Sequence, residues 1–275
     1  MSSLAVPLAL PPVYIVYLEF TARHRDSSLP VLLGFAARLF PACELKLVIV
    51  DNGSEHDSDV PRHPDATCIA GDNSSREFSG MDKGVSVLKS QGKFAPDAVV
   101  ILANDTFNRN YGAHYLDHYQ SGPVGAALAS HALVGYCDGY LKPIELFGLP
   151  LSWWIRTSLV ITTGMTLARL SPLAIPFPDE EIFAHDHQTF FRESAQLSKN
   201  YTHYLRTWLF GDEDPSGEFR SKWHSQRELN DSTFESFKGK ARSILCEHYF
   251  SARARRLGVP LLDMSGRIPS LDFYG

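Results

Sequence analysis

Strand-like and helix-like segments alternate over roughly the first 130 residues, and this constrains the fold more than any other feature. Residues 13–18 (VYIVYL) form a short apolar, β-branched and aromatic run, as a buried strand requires. Asp26, Ser27 and Ser28 offer N-cap chemistry ahead of LPVLLGFAARLF, where apolar residues recur at helical spacing. Residues 45–50 (LKLVIV) read as a second buried strand, ended by the turn cluster Asp51-Asn52-Gly53-Ser54. A further helix is expected from about residue 80 to 90, and a third strand at 98–102 (AVVIL) ends at Asn104-Asp105. Strand, helix, strand, helix, strand with short connections predicts a parallel α/β sheet.

The second half is less regular. Residues 122–130 are small and apolar and read as another strand, and 153–170 as strands around a Thr163-Gly164 turn. Pro172, Pro176 and Pro178 break the chain before a helix expected to start near Asp186. Between Phe219 and Arg256 there are nine Lys/Arg against four Asp/Glu, inside a chain of net charge −5. That contrast sets residues 219–275 apart as a basic, mostly helical extension on a main domain of residues 1–218.

The 275 residues, 44% hydrophobic and 21% charged, exclude a disordered chain and suffice for a large core. The acidic balance argues against a general nucleic-acid binder. Four cysteines (Cys43, Cys68, Cys137, Cys246) are widely spaced without CxxC or finger patterns, which fits a reducing compartment. The apolar opening at residues 4–10 is short, interrupted by Pro7 and lacks a basic flank, so it reads neither as a signal peptide nor as a membrane span. The expectation is a soluble, cytoplasmic protein.

In a parallel α/β sheet ligands bind at the carboxyl ends of strands, where both the Asp51 and the Asn104-Asp105 clusters fall. No GxGxxG, GxxxxGK[ST] or GxSxG is present, which disfavours a dinucleotide fold, a P-loop and an α/β-hydrolase. The chemistry therefore falls to carboxylates.

Four segments occur in the order of one family: VIVDNGS (48–54), ILANDT (101–106), TGMTLAR (163–169) and FPDEEIFAHDHQTFFR (177–192). Together they make residues 13–195 resemble the family 2, GT-A-type nucleotide-sugar glycosyltransferases, in particular the rhamnosyltransferase-like branch that builds bacterial surface polysaccharides such as O-antigen. The resemblance implies a GT-A fold, a Rossmann-like nucleotide-binding sheet flanked by helices. It implies transfer of a sugar from dTDP-rhamnose or a UDP-hexose to a saccharide or lipid-linked acceptor, with inversion. By the same resemblance Asp105 is the metal-binding acid of a D-x-D variant that would hold Mg²⁺ or Mn²⁺, with one carboxylate where many relatives have two. Glu19, Asp51, Asn52, Asp82, Lys83, Asn104 and Gly164 fall in the nucleotide-sugar site. Asp186 takes the place of the catalytic base, although a carboxylate there also suits a helix N-cap.

Other residues have two readings each. His224 is an extra metal ligand or a structural histidine, and Arg227 and Lys238 are phosphate contacts on charge alone. Asp179 and Glu180 form a second acidic pair that contacts the acceptor or supplies the base in place of Asp186. Trp153 and Trp154 offer faces for an acceptor sugar or belong to the core. The segment ending Arg253-Ala254-Arg255-Arg256 is amphipathic and basic enough to rest on the inner face of the cell membrane, or is an ordinary solvated helix. Two rival functions remain. One is a nucleotidyltransferase, against which the glycine-free Glu19-Phe20-Thr21-Ala22-Arg23 loop counts. The other is a non-catalytic nucleotide- or carbohydrate-binding module.

Overall fold

In a computed structural model, residues 11–91, 95–109, 112–214 and 222–265 are described. The segment at 4–10, Arg220 and the boundary expected at 218/219 lie outside them. The core is one seven-stranded mixed sheet. Its first strand, β1 (Val13–Glu19), is buried along its whole length, because helices cover both faces of the sheet. β2 (Leu45–Asp51) and β4 (Val99–Asn104) flank β1 in parallel, and β3 (Ala66–Ala70) lies outside β2. The sheet then continues antiparallel through β6 (Leu149–Thr163) and β5 (Leu133–Leu146), and ends at β7 (Leu261–Asp263), parallel to β5. The order β3-β2-β1-β4-β6-β5-β7 contains the parallel βαβ sheet expected from the sequence.

Alternation along β1 assigns the helices to the two faces. Val13, Ile15 and Tyr17 face α1 (Arg25–Leu39) through Leu29, Leu32, Phe35, Ala36 and Leu39. Tyr14, Val16 and Leu18 face α2 (Glu77–Ser90) through Phe78, Met81, Val85 and Leu88. Helix α2 crosses β1 closely because Gly80 and Gly84 lack side chains. A Cβ would stand 2.3 Å from Leu18 Cδ1 at Gly80 and 2.4 Å from Val16 Cγ1 at Gly84.

Three elements differ from the sequence expectation. Residues expected as a strand form α3 (Ser121–Ala129), whose Pro123 sits in the first turn and whose Val124 and Leu128 are buried one turn apart. Thr163 and Gly164 are no strand turn: β6 runs directly into α4 (Gly164–Leu170), and the Thr163 hydroxyl accepts a hydrogen bond from the Thr166 N–H at 3.4 Å. No helix starts at Asp186. Residues 186–189 form a tight turn after the short α5 (Asp179–Ile182), and α6 begins only at Lys199 (Lys199–Phe210).

The C-terminal region is helical as expected in α7 (Phe234–Arg256), which lies along β6. Its apolar face (Phe237, Ala241, Leu245, Phe250) is in the core, so the surface that membrane docking would need is already covered. Among the described residues, no helix is long and apolar enough to cross a membrane.

Candidate functional site

The register β1 to β2 and β1 to β4 aligns Glu19 with Asp51 and Leu18 with Asn104, so three strands end together. Successive strands leave β1 towards β2 on one side and return to β4 on the other. The crevice between the carboxyl ends of β1 and β4 is thus a topological switch point, where open α/β sheets bind ligands. Three carboxylates are buried there: Glu19 (2% exposed), Asp51 (1%) and Asp105 (8%).

They are held differently. Glu19 forms a buried ion pair with Arg25, whose Nε donates to Glu19 Oε2 at 3.0 Å. Burial nonetheless raises the Glu19 carboxyl above its ordinary range, against the pull of Arg25. Asp51 Oδ1 accepts the Thr21 N–H at 2.7 Å and the Gly53 N–H at 2.8 Å, while Oδ2 accepts the Ser54 hydroxyl at 2.9 Å. Asp105 is less satisfied: its Oδ2 accepts one long bond, 3.4 Å from the Phe20 N–H. Desolvation raises its pKa, opposed by that bond and by the charges of His24 and Arg109.

The loop after β1 is thereby suspended between two neighbouring strands. The Phe20 N–H points to Asp105 of the β4 end, and the Thr21 N–H to Asp51 of β2. Thr21 (φ 60°) and Ala22 (φ 54°) are both forced into the left-handed region, which costs a non-glycine residue about 1–2 kcal/mol. Asn73 (φ 52°) and Arg76 (φ 53°), just before α2, are strained in the same way. Phe20, whose N–H meets Asp105, is left 55% exposed. Because Asp51 supplies three anchors from a buried position, Asp51→Ala is expected to lower stability by about 1–3 kcal/mol, through loss of the bonds that hold the loops after β1 and β2. Thermal denaturation checks this, and an unchanged Tm would count against the anchoring role.

The residues expected in the nucleotide site do not all meet here. Glu19, Asp51, Asn104 and Asp105 do. Asn104 Oδ1 accepts from the Thr106 N–H (3.1 Å) and hydroxyl (3.0 Å), shaping the loop after β4. Asp51, with both oxygens engaged, anchors loops instead of offering a carboxylate to a base or ribose. Asn52 turns away from the crevice, donates to the Arg76 carbonyl at 2.8 Å and sits against Gly71 and Gly80. Asp82 accepts the Leu173 and Ala174 N–H groups at 2.8–3.1 Å, so it ties α2 to the 172–174 segment. Lys83 caps the Ala70 carbonyl at the end of β3. Gly164 lies at the opposite end of the sheet: its N–H donates to Ala98, before β4 begins, about 20 Å along the strand from Asp105. The reason is that β6 runs antiparallel to β4, so the end of β6 meets the start of β4.

The acceptor and metal candidates also separate. Trp154 is 8% exposed and packed against Tyr140 and His248, each with ring centroids 4.6 Å away, so it presents no open face to a sugar. Trp153 is half-buried across from Gly139. His224 is exposed with its ring against Trp223. Among the described residues, no three His, Cys, Asp or Glu side chains stand together as a metal site. A cation at Asp105 would therefore draw at most two ligands from such side chains, the rest of its shell coming from ligand phosphates and water. Magnesium is often bound in this way, and the cation would offset the desolvation of Asp105.

Asp186 is exposed on the 186–189 turn; its Oδ1 accepts the Thr189 N–H at 2.8 Å, and that bond lowers its pKa. Here the capping role left open by the sequence is realised, on a turn and not a helix. Asp179 Oδ1 accepts from Arg242 at 2.7 Å, while Glu180 is exposed beside it. Arg227 donates to the Ser236 hydroxyl, and Lys238 to Glu235. The sequence reading missed Phe20, His24 and Arg109. Their signal was the basic run Arg23-His24-Arg25 immediately after a strand, read there only as lacking glycine.

Neither a family model nor a curated protein matches this chain. Among solved structures it is similar to a 4-diphosphocytidyl-2C-methyl-D-erythritol synthase, at 13% identity and a TM-score of 0.36, over 62% of this chain and 82% of that one. It is also similar to the galactosyltransferase LgtC in complex with donor and acceptor sugar analogues, at 14% identity and a TM-score of 0.27, over 57% of this chain and 60% of that one.

Proposed function

We propose that the chain is a nucleotide-sugar-dependent glycosyltransferase that holds its donor in the crevice between the carboxyl ends of β1 and β4. The observation that carries this is Asp105, a buried carboxylate whose bond from the Phe20 N–H is long, at a switch point near the charges of His24 and Arg109 and next to the exposed Phe20. Phe20 offers an aromatic face for a nucleobase. Arg23 and Arg109 offer positive charge to a diphosphate, and His24 a ring N–H. A bound Mg²⁺ or Mn²⁺ at Asp105 would stabilise the charge that develops on the leaving nucleoside diphosphate. The acceptor hydroxyl attacks the anomeric carbon as the bond from that carbon to the phosphate oxygen breaks, inverting the centre. The nucleoside diphosphate leaves with the electron pair, and the acceptor proton goes to a carboxylate. We assign that role to Asp186, which is exposed and, having a lowered pKa, stays ionised. The donor is dTDP-rhamnose or a UDP-hexose, and the acceptor a saccharide, free or lipid-linked.

A nucleotidyltransferase is favoured by one specific observation. The 20–24 loop takes, at Thr21 and Ala22, the left-handed backbone that glycines ordinarily supply, and carries basic residues. The first experiment is thermal-shift binding of UDP, dTDP, GDP and CMP with and without Mn²⁺. A nucleotide at about 100 times its Kd adds roughly 2.7 kcal/mol, which corresponds to about 5–10 °C for a chain of this size. A metal-dependent shift for a nucleoside diphosphate supports the donor site. No shift for any nucleotide overturns it. With substrate, release of nucleoside diphosphate identifies glycosyl transfer, and release of pyrophosphate identifies nucleotidyl transfer.

A further inference from the structure

The two-residue turn joining β5 to β6 is built from Phe147 and Gly148, both left-handed, at φ 51° and 74°. Such turns favour Asn or Gly at the first position, and a bulky aromatic there is strained. Strain of this kind persists only where surrounding structure enforces it. Here the Phe147 N–H donates to the Gln196 carbonyl at 2.5 Å, and the Phe147 ring stacks on Phe177 with centroids 4.2 Å apart and planes 17° from parallel. Tyr249 backs both rings edge-on.

These two rings form one wall of a cavity of about 180 Å³, whose other walls include Glu180, Glu181, Arg192 and Gln196. The volume falls below the roughly 300 Å³ at which drug-sized sites begin, and suits one ring better than a nucleotide. The lining combines an aromatic wall with carboxylate, guanidinium and amide groups. A pyranose presents the matching surfaces, since its C–H face lies against aromatic rings and its hydroxyls both donate and accept hydrogen bonds. Two carboxylates against one guanidinium disfavour an acidic sugar.

The cavity wall is also tied to the start of α2. Arg242 of α7 donates to Asp179 Oδ1 at 2.7 Å and to the Phe177 carbonyl at 3.0 Å. Its Nε donates to the Ser75 hydroxyl at 3.3 Å, one residue before the strained Arg76 that opens α2. One guanidinium thus ties the cavity wall at Asp179 to the segment that opens α2.

We infer that this cavity is a saccharide subsite that takes one neutral pyranose unit of the acceptor, with Phe147 and Phe177 as the stacking wall and Glu181 as a hydroxyl acceptor. Its part in catalysis rests on the glycosyl-transfer reading, whereas its capacity to bind a sugar does not. The test is saturation-transfer NMR on the intact protein with methyl glycosides of glucose, galactose, rhamnose, N-acetylglucosamine and glucuronic acid. At least one neutral glycoside is expected to receive magnetisation and the glucuronide none. Glu181→Gln and Phe177→Ala are each expected to weaken the signal about tenfold, while Asp105→Asn leaves it intact. The Glu181 variant changes an exposed side chain, so it remains informative even if Phe177→Ala does not fold. Absence of transfer to every neutral glycoside, a glucuronide that binds as well as they do, or signal unaffected by Glu181→Gln overturns the subsite. UDP and dTDP titrated into the same samples report on the crevice, so its failure and that of the subsite are read separately.

Discussion

Asp105→Asn is expected to lower the transfer rate by about 10²–10³-fold and to abolish the metal-dependent part of nucleotide binding, while leaving Tm unchanged or raised. The rate falls because the amide cannot supply the negative charge that holds a cation against the diphosphate, and electrostatic elements aimed at developing charge are worth about that much. Stability moves the other way because burial raises the Asp105 pKa. A carboxyl whose folded pKa lies above its unfolded one binds its proton more tightly when folded, so its ionised form costs stability above the folded pKa. The neutral amide keeps the shape and removes that cost. A loss of activity accompanied by a large fall in Tm would instead make Asp105 a structural residue. Steady-state kinetics with and without Mn²⁺, paired with thermal denaturation, separates the outcomes.

Arg25→Met is expected to cost about 3–5 kcal/mol, because it leaves the Glu19 carboxylate buried without its cation. Both partners lie inside the fold, and Arg25 also donates to the Pro61 carbonyl at 2.6 Å, so the 55–65 loop loses an anchor as well. For a chain of this size the loss corresponds to a fall in Tm of roughly 10 °C or more. It depends on pH in a defined direction. Glu19 already has a raised pKa in the fold, chiefly from burial, and losing Arg25 raises it further. The deficit is therefore full above the folded pKa of Glu19 and shrinks as protonation removes the unpaired charge. The double variant Glu19→Gln/Arg25→Met is expected to recover much of the stability. If the double variant is as unstable as the single one, the contact with Pro61 and packing outweigh the ion pair.

The sequence by itself determined the parallel half of the sheet and which polar residues end its strands. Runs such as VYIVYL, LKLVIV and AVVIL are nearly unbroken because both faces of those strands are buried. The polar residues that end them, Glu19, Asp51 and Asn104-Asp105, come to one edge simply because the strands are parallel and in register. Local pattern failed where the signals were weak. The small residues of α3 hid its helical period, and the acidic cluster before Asp186 was as consistent with a turn as with a helix start.

Only the tertiary structure decided which of the aligned residues are open to a ligand. Two strand-end carboxylates on either side of β1 look alike in sequence. Yet Asp51 is consumed by the Thr21 and Gly53 N–H groups, whereas Asp105 keeps one long bond, because the loop after β1 leans towards β2. Gly164 and Asp105 stand in segments that the sequence grouped into one site, yet an antiparallel strand carries them to opposite ends of the sheet. The Phe147–Phe177 wall joins residues thirty positions apart through a hairpin tip and a proline-broken segment. Hydrogen-bond competition, strand direction and long-range contact depend on where the chain returns to itself. Periodicity and composition carry no record of that.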